Sequence, residues 1–311
     1  MAFGISSHLF FQDRLTPSTL DLLRDAGAEA VEVFASRHHF DYTDRNAVRE
    51  LASWFRNNPV AASMHMPLFT EAEEAEWSRH TEATLNLVSR AKGERIAAMD
   101  EVKRALEAAE HVPFRACDVH LGLKDDRWST ESLDLSLTAI EHLKAFATPL
   151  GVQLVLENLP SDLATPARLV EITRVGHFDD VGFCLDTGHA HLTQPALPDE
   201  TGYDRNARER LREEFGDAAL KDGVAEAFQV FGERLVQMHL HDNNGNRDEH
   251  CWPGEVNAGK GVDWGVVRAS LAKLRRGVNG LLEIAYEPPV NPRDVSRKVS
   301  AARRVLSDET E

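Results

Sequence analysis

Cysteine is scarce in this chain: Cys117, Cys184 and Cys251 are scattered through 311 positions. An odd number of thiols with no CxxC spacing excludes a disulfide framework and a thiolate zinc knuckle, and fits a reduced, cytoplasmic protein. Long apolar runs are missing too; none approaches the roughly 18 uncharged residues of a membrane helix. The opening MAFGISSHLFFQDRL has neither the basic stretch nor the long apolar stretch of a secretory signal. Positive charge is in deficit, with 35 Lys and Arg against 51 Asp and Glu for a net −16. That balance argues against a general affinity for nucleic acid. The glycine-rich loops of dinucleotide and P-loop proteins are absent, as is a GxSxG nucleophile elbow. Histidine is plentiful, with 14 residues. With 42% hydrophobic and 28% charged residues, the composition is that of a globular domain.

Short apolar, β-branched segments predict eight strands, at about 4–9, 30–35, 60–64, 116–120, 153–157, 181–185, 235–240 and 280–285. Most are continuous rather than alternating, as expected of parallel strands buried on both faces. Amphipathic stretches lie between them and carry start and stop signals. Thr16-Pro17 and Thr165-Pro166 each offer an N-cap followed by proline, and Gly27 and Gly151 close helical segments. Eight strand–helix units predict a single (β/α)8 TIM barrel over residues 1–311. Two connections, about 71–112 and 195–233, read as helical insertions and as candidate contact elements of a homo-oligomer. The acidic run from Glu71 to Glu76 opens the first.

Side chains at the C-terminal ends of barrel strands converge on one mouth. Strand three ends in Ser63-Met64-His65, strand four in Asp118-Val119-His120 and strand five in Leu156-Glu157-Asn158. Strand six ends in Leu185-Asp186-Thr187-Gly188-His189, strand seven runs Met238-His239-Leu240-His241-Asp242, and strand eight carries Glu283. A carboxylate placed directly after apolar residues is costly unless paired or bound to a cation. Imidazole with carboxylate is a donor set for zinc, manganese or iron. Taken singly, Glu157 or Asp186 reads as well as a helix N-cap or buried ion-pair partner as it does as a ligand. Six consecutive strand ends of this kind predict a metal centre.

At these residues the chain resembles the xylose isomerase-like barrel superfamily, which includes sugar isomerases and epimerases and the endonuclease IV type of abasic-site nuclease. The segments that carry the resemblance are VLENLP, CLDTGHAHL and MHLHDNNGNRDEHCWPGE, with SMHMP, DVHLGL and GLLEIAYEP in support. The resemblance implies a four-ligand site at Glu157, Asp186, His239 and Glu283, with His239 chosen because it stands three residues before Asp242. The role of His241 stays open. The nuclease branch implies up to three metals on nine ligands: His65, His120, Glu157, Asp186, His189, His239, Asp248, His250 and Glu283. This sequence departs from that branch in Met66-Pro67-Leu68-Phe69 after the first histidine and in Val256-Asn257-Ala258 before the glycine loop.

Two activities follow from the resemblance. The first is a sugar or sugar-phosphate isomerase or epimerase dependent on a divalent ion (Mn, Zn, Fe or Mg). Glu157 and Glu283 would trade a proton beside a metal-bound carbonyl, and His189, Lys260 and Trp252 would bind the small, sugar-like substrate. The alternative is a phosphodiesterase of the endonuclease IV type with two or three metals. The acidic insertion and the net charge weigh against a DNA substrate and place the first activity ahead.

Overall fold

Eight parallel strands close on one another in strict chain order in a computed structural model that describes residues 1–69, 83–193, 223–257, 259–275, 277–285 and 291–307. The strands are β1 (Ala2–Ser6), β2 (Ala30–Phe34), β3 (Ala61–His65), β4 (Phe114–Val119), β5 (Gln153–Glu157), β6 (Gly182–Asp186), β7 (Leu235–Leu240) and β8 (Asn279–Leu282). β8 pairs back onto β1 through Gly4↔Leu281, which completes the barrel. All five residues of β2 and of β6 are buried, as expected of strands covered on both faces. The predicted (β/α)8 barrel is therefore the observed fold.

The helices are α1 (Pro17–Asp25), α2 (Arg45–Asn57), α3 (Lys92–Leu106), α4 (Thr130–Ala147), α5 (Pro166–Val175), α6 (Thr187–Leu192), α7 (Gly223–Phe231), α8 (Trp264–Leu271) and α9 (Pro292–Ser307). Their starts follow the sequence grammar. Thr16 and Thr165 accept hydrogen bonds from the backbone amides of Thr19 and Arg168, with Pro17 and Pro166 in the first turn. Ser129 and Ser132 form a reciprocal cap on α4. Gly151 follows a short 3-10 turn at φ 73°, a left-handed conformation that suits glycine.

Three boundaries differ from expectation. β1 stops at Ser6, because the Ser6 hydroxyl accepts from the His8 amide and turns Ser7–Phe10 into a 3-10 helix. β8 stops at Leu282, so Glu283 stands just past the strand. The stretch 71–112 is not insertion throughout: α3 is the crossover helix between β3 and β4 that the barrel itself requires. α7 plays the same part between β6 and β7 within 195–233. The acidic run Glu71–Glu76 and most of the second insertion lie outside the described residues.

Candidate metal centre

Along a parallel strand, residues two apart share a face, so each barrel strand presents an inner layer and an outer layer to the lumen. β3, β5 and β6 end on His65, Glu157 and Asp186, and His239 is the penultimate residue of β7. His120 and Glu283 follow β4 and β8 by one residue. Strand pairing sets Asp186 directly beside His239.

Three sets of ligand atoms result, each set lying within 4.8 Å. The first is His65, His120 and Glu157, with Glu157 Oε2 at 3.0 Å from His120 Nε2 and 3.7 Å from His65 Nε2. The second is Glu157, Asp186, His239 and Glu283, where His239 Nδ1 lies 3.2 Å from both Glu157 Oε2 and Glu283 Oε2. The third is His189, His241, Asp248 and His250, with Asp248 Oδ2 at 3.0 Å from both His189 Nε2 and His250 Nε2. Glu157 Oε1 reaches towards this third set, at 3.1 Å from His189 Nδ1. A further grouping of Asp118, Glu157, Cys184 and His239 lies fully buried. Burial and the neighbouring Asp118 push the Cys184 thiol well above its usual range.

The imidazoles are oriented before any ion arrives. Nδ1 of His65, His189 and His250 sits 2.8–2.9 Å from the carbonyl of Met66, Asn158 and Glu283 respectively. A carbonyl only accepts, so each Nδ1 carries a proton and it is each Nε2 that faces the mouth. Asp186 caps α6 by accepting from the His189 amide at 2.6 Å through Oδ1, while Oδ2 meets His241 Nε2 at 2.9 Å. Helix cap and ligand, the two readings of Asp186, are thus compatible. His241, left open by the sequence, belongs to the third set, and its ring stacks on His250 at 3.9 Å.

Asp248 and His250 stand on the loop after β7, which is pinned at its base. The Asp242 carboxylate accepts from the amides of Asn243, Val262 and Gly254 and from Trp264 Nε1, and its backbone exchanges two 2.8 Å bonds with Cys251. His250 adopts φ 47°, a conformation few non-glycine residues accept unless their surroundings hold them.

Burial would neutralise Glu157, but His120 and His239 hold its carboxyl well below the usual range. Burial lifts Glu283 to about 8 despite His239 and His250. His65 is lowered to about 4 by burial and by its neighbour His120. His250 overcomes burial through Asp248 and rises to about 10. His239 Nδ1 and Asp248 Oδ1 are buried without a hydrogen-bond partner. Buried polar atoms left this way call for an explanation, and vacant donor atoms beside three mixed imidazole–carboxylate sets fit divalent cations.

All nine residues that the resemblance implied as ligands meet at this mouth. Lys260 and Trp252 do not join them. Lys260 is exposed, and it is its carbonyl that meets His191 Nε2. Trp252 is buried in the core with Lys298 of α9 at 5.5 Å from its ring, so it anchors the loop instead of offering a face to a sugar. Phe34 and Phe69 are buried with Phe11, and Phe34 stacks on His65. Sequence reasoning missed His8, whose ring lies 5.3 Å from that of His250, and Glu32 in the middle of β2. For Glu32 a signal existed: a carboxylate inside the apolar run AVEVF.

The sequence matches the xylose isomerase-like TIM barrel family over residues 20–305. The chain belongs to this family. An uncharacterized protein of Methanocaldococcus jannaschii is 25% identical over 265 residues, covering 83% of this chain and 76% of that protein. A probable endonuclease 4 of Natronomonas pharaonis is 28% identical over 207 residues, which span 61% of this chain and 64% of the relative. Among solved structures, a D-tagatose 3-epimerase-like protein superposes with TM-score 0.68 at 22% identity over 99% of this chain and 98% of its own. The IolI protein with a bound zinc atom gives 0.68 at 15% identity over the whole of both chains. At such identities the structural likeness establishes the fold alone.

Proposed function

We propose that this family member is a divalent-metal-dependent phosphoester hydrolase with a multinuclear centre. The observation that carries the proposal is the engagement of Glu157: the residue belongs to both the first and the second ligand set, and its Oε2 lies 3.0 Å from His120 Nε2 of the first and 3.2 Å from His239 Nδ1 of the second. A carboxylate shared in this way suits adjacent cations better than a free base at a substrate carbon. His65, His120 and Glu157 would hold one ion, Asp186, His239 and Glu283 with Glu157 a second, and His189, Asp248 and His250 with His241 a third. Zinc suits this donor set, and manganese or iron follow the same chemistry. Such ions supply Lewis acidity towards a phosphoryl oxygen and towards the attacking water. The residues of the chain orient the donors and exclude bulk water from the inner layer. The probable endonuclease 4 relatives agree with this class. The net charge of −16 favours a small phosphodiester over a DNA backbone.

One observation favours a second reading, that of a sugar isomerase or epimerase. Glu157 and Glu283 converge on the second set, each with Oε2 3.2 Å from His239 Nδ1, and two carboxylates paired in this way are suited to passing a proton at a substrate carbon. The solved D-tagatose 3-epimerase-like protein and D-psicose 3-epimerase neighbours agree with it. One experiment separates the readings. Zinc- and manganese-loaded protein is assayed on bis(p-nitrophenyl) phosphate, on an abasic duplex, and on a ketose panel in deuterated water. Phosphodiester cleavage abolished by Asp248→Ala supports the hydrolase. Deuterium uptake into a ketose that survives Asp248→Ala, with no phosphodiester cleavage, overturns it.

A further inference from the structure

Most of the site's imidazoles face it with Nε2, but His239 is turned the other way. Its Nδ1 points into the second ligand set, towards Glu157, Glu283 and Asp186 at 3.2, 3.2 and 3.8 Å. None of these approaches is aligned as a hydrogen bond, and Nδ1 has no such partner. Nε2 points instead into the inner layer of the barrel, where Glu32 Oε2 lies at 3.2 Å and Asp118 Oδ2 at 3.6 Å. No backbone carbonyl takes this proton, in contrast to His65, His189 and His250. Glu32 reaches across the lumen from β2 to do so, 207 residues away in the chain.

Glu32 is itself held in place. Gln237, two residues before His239 on the same face of β7, donates its side-chain amide to Glu32 Oε2 at 2.5 Å and lies 3.4 Å from Asp118 Oδ2. Glu32, Asp118, Gln237 and His239 are all inaccessible to solvent. Glu32 Oε1 makes no hydrogen bond. A fully buried carboxylate with an idle oxygen is expensive for a strand that could carry an apolar residue there.

We propose that Glu32 is the positioning residue of the central cation site: it accepts the Nε2 proton of His239 and thereby commits Nδ1 to the metal. A neutral imidazole carries one proton, and the nitrogen facing a fixed acceptor keeps it. The Nδ1 lone pair is then fixed in direction by the strand and raised in basicity by the carboxylate behind it, as in other carboxylate–histidine–metal arrangements. Glu32 touches neither substrate nor ion in this role. The inference rests on the metal centre proposed above and is common to both readings of the activity, because both place His239 on a metal.

The test uses the full chain labelled with 15N-histidine and loaded with zinc. His239 signals are assigned by comparison with His239→Gln. The expected long-range proton–nitrogen spectrum shows the proton of His239 on Nε2 and a metal-shifted Nδ1. A proton on Nδ1 with Nε2 ligated overturns the proposal, and this measurement needs no variant at position 32. In parallel, zinc affinities of wild type, Glu32→Gln and Glu32→Leu are measured by chelator competition. One ion is expected to weaken by about 10-fold in the first variant and about 100-fold in the second, with the others unchanged. A purely structural Glu32 would instead lower the melting temperature without singling out one ion. A folded Glu32→Leu protein that binds every ion like the wild type overturns the inference alone. A wild type that takes up no zinc overturns the metal centre and this inference with it.

Discussion

At the scale of single residues, Glu157 is the most consequential side chain, since it touches four imidazoles: His65, His120, His189 and His239. Glu157→Gln keeps the shape and removes the charge that two ligand sets share. Metal content measured by mass spectrometry should fall by at least one ion per chain, and turnover should fall by roughly 100-fold or more, beyond the effect of losing an outer partner. His39 makes a cleaner pH prediction because it lies outside the ligand sets, bonded to the Asp13 carbonyl and the Ser7 hydroxyl. Burial lowers it to about 4 from an ordinary 6.5. Its folded form is neutral, so the unfolded chain binds more protons between those values. The stability it contributes is complete above about 6.5 and is lost as pH falls through about 4. Denaturant titrations of metal-free protein should therefore show stability dropping from pH 6.5 to 4, with a shallower drop in His39→Gln.

At the scale of elements, the strand ends supply the first two ligand sets and the loop after β7 supplies much of the third. The anchor of that loop is Asp242, whose carboxylate takes four donors. In Asp242→Asn an amide NH2 faces N–H groups it cannot accept from. The loop should loosen at a cost of about 1–3 kcal/mol. Metal analysis should then find the third ion lost while the first two persist. On α6, a Cβ at Gly188 would run into the His241 ring and the Asn243 amide. Gly188→Ala should displace His241 and destabilise the fold by an amount typical of overpacking, about 1–3 kcal/mol, which calorimetry reads as a lowered melting temperature.

At the scale of the whole molecule, the barrel gathers buried carboxylates from β2, β4, β5 and β6 into one lumen, together with Glu283 beyond β8. Divalent ions held at the mouth would offset part of that charge and would bind only the folded chain. Each ion held at 100 times its dissociation constant adds about 2.7 kcal/mol, so zinc should raise the melting temperature by roughly 5 °C or more, and a chelator should reverse the rise. Among the described residues no helix is long and apolar enough to cross a membrane. The sequence by itself determined the eight strands and the barrel and set His, Asp or Glu at six strand ends, because continuous apolar runs ending in such residues are local patterns. It also placed the start of α1 and α5 correctly, through Thr-Pro caps that act within one turn. It overstated the 71–112 insertion, since the polar surface of a barrel helix such as α3 looks like any solvated helix. Only the tertiary structure decided how the nine candidate ligands divide into sets, that His241 joins the third, and that Trp252 faces Lys298. It alone brought Glu32 to His239. Those outcomes depend on strand stagger and closure of the barrel, which set side chains some 200 residues apart within a hydrogen bond of each other.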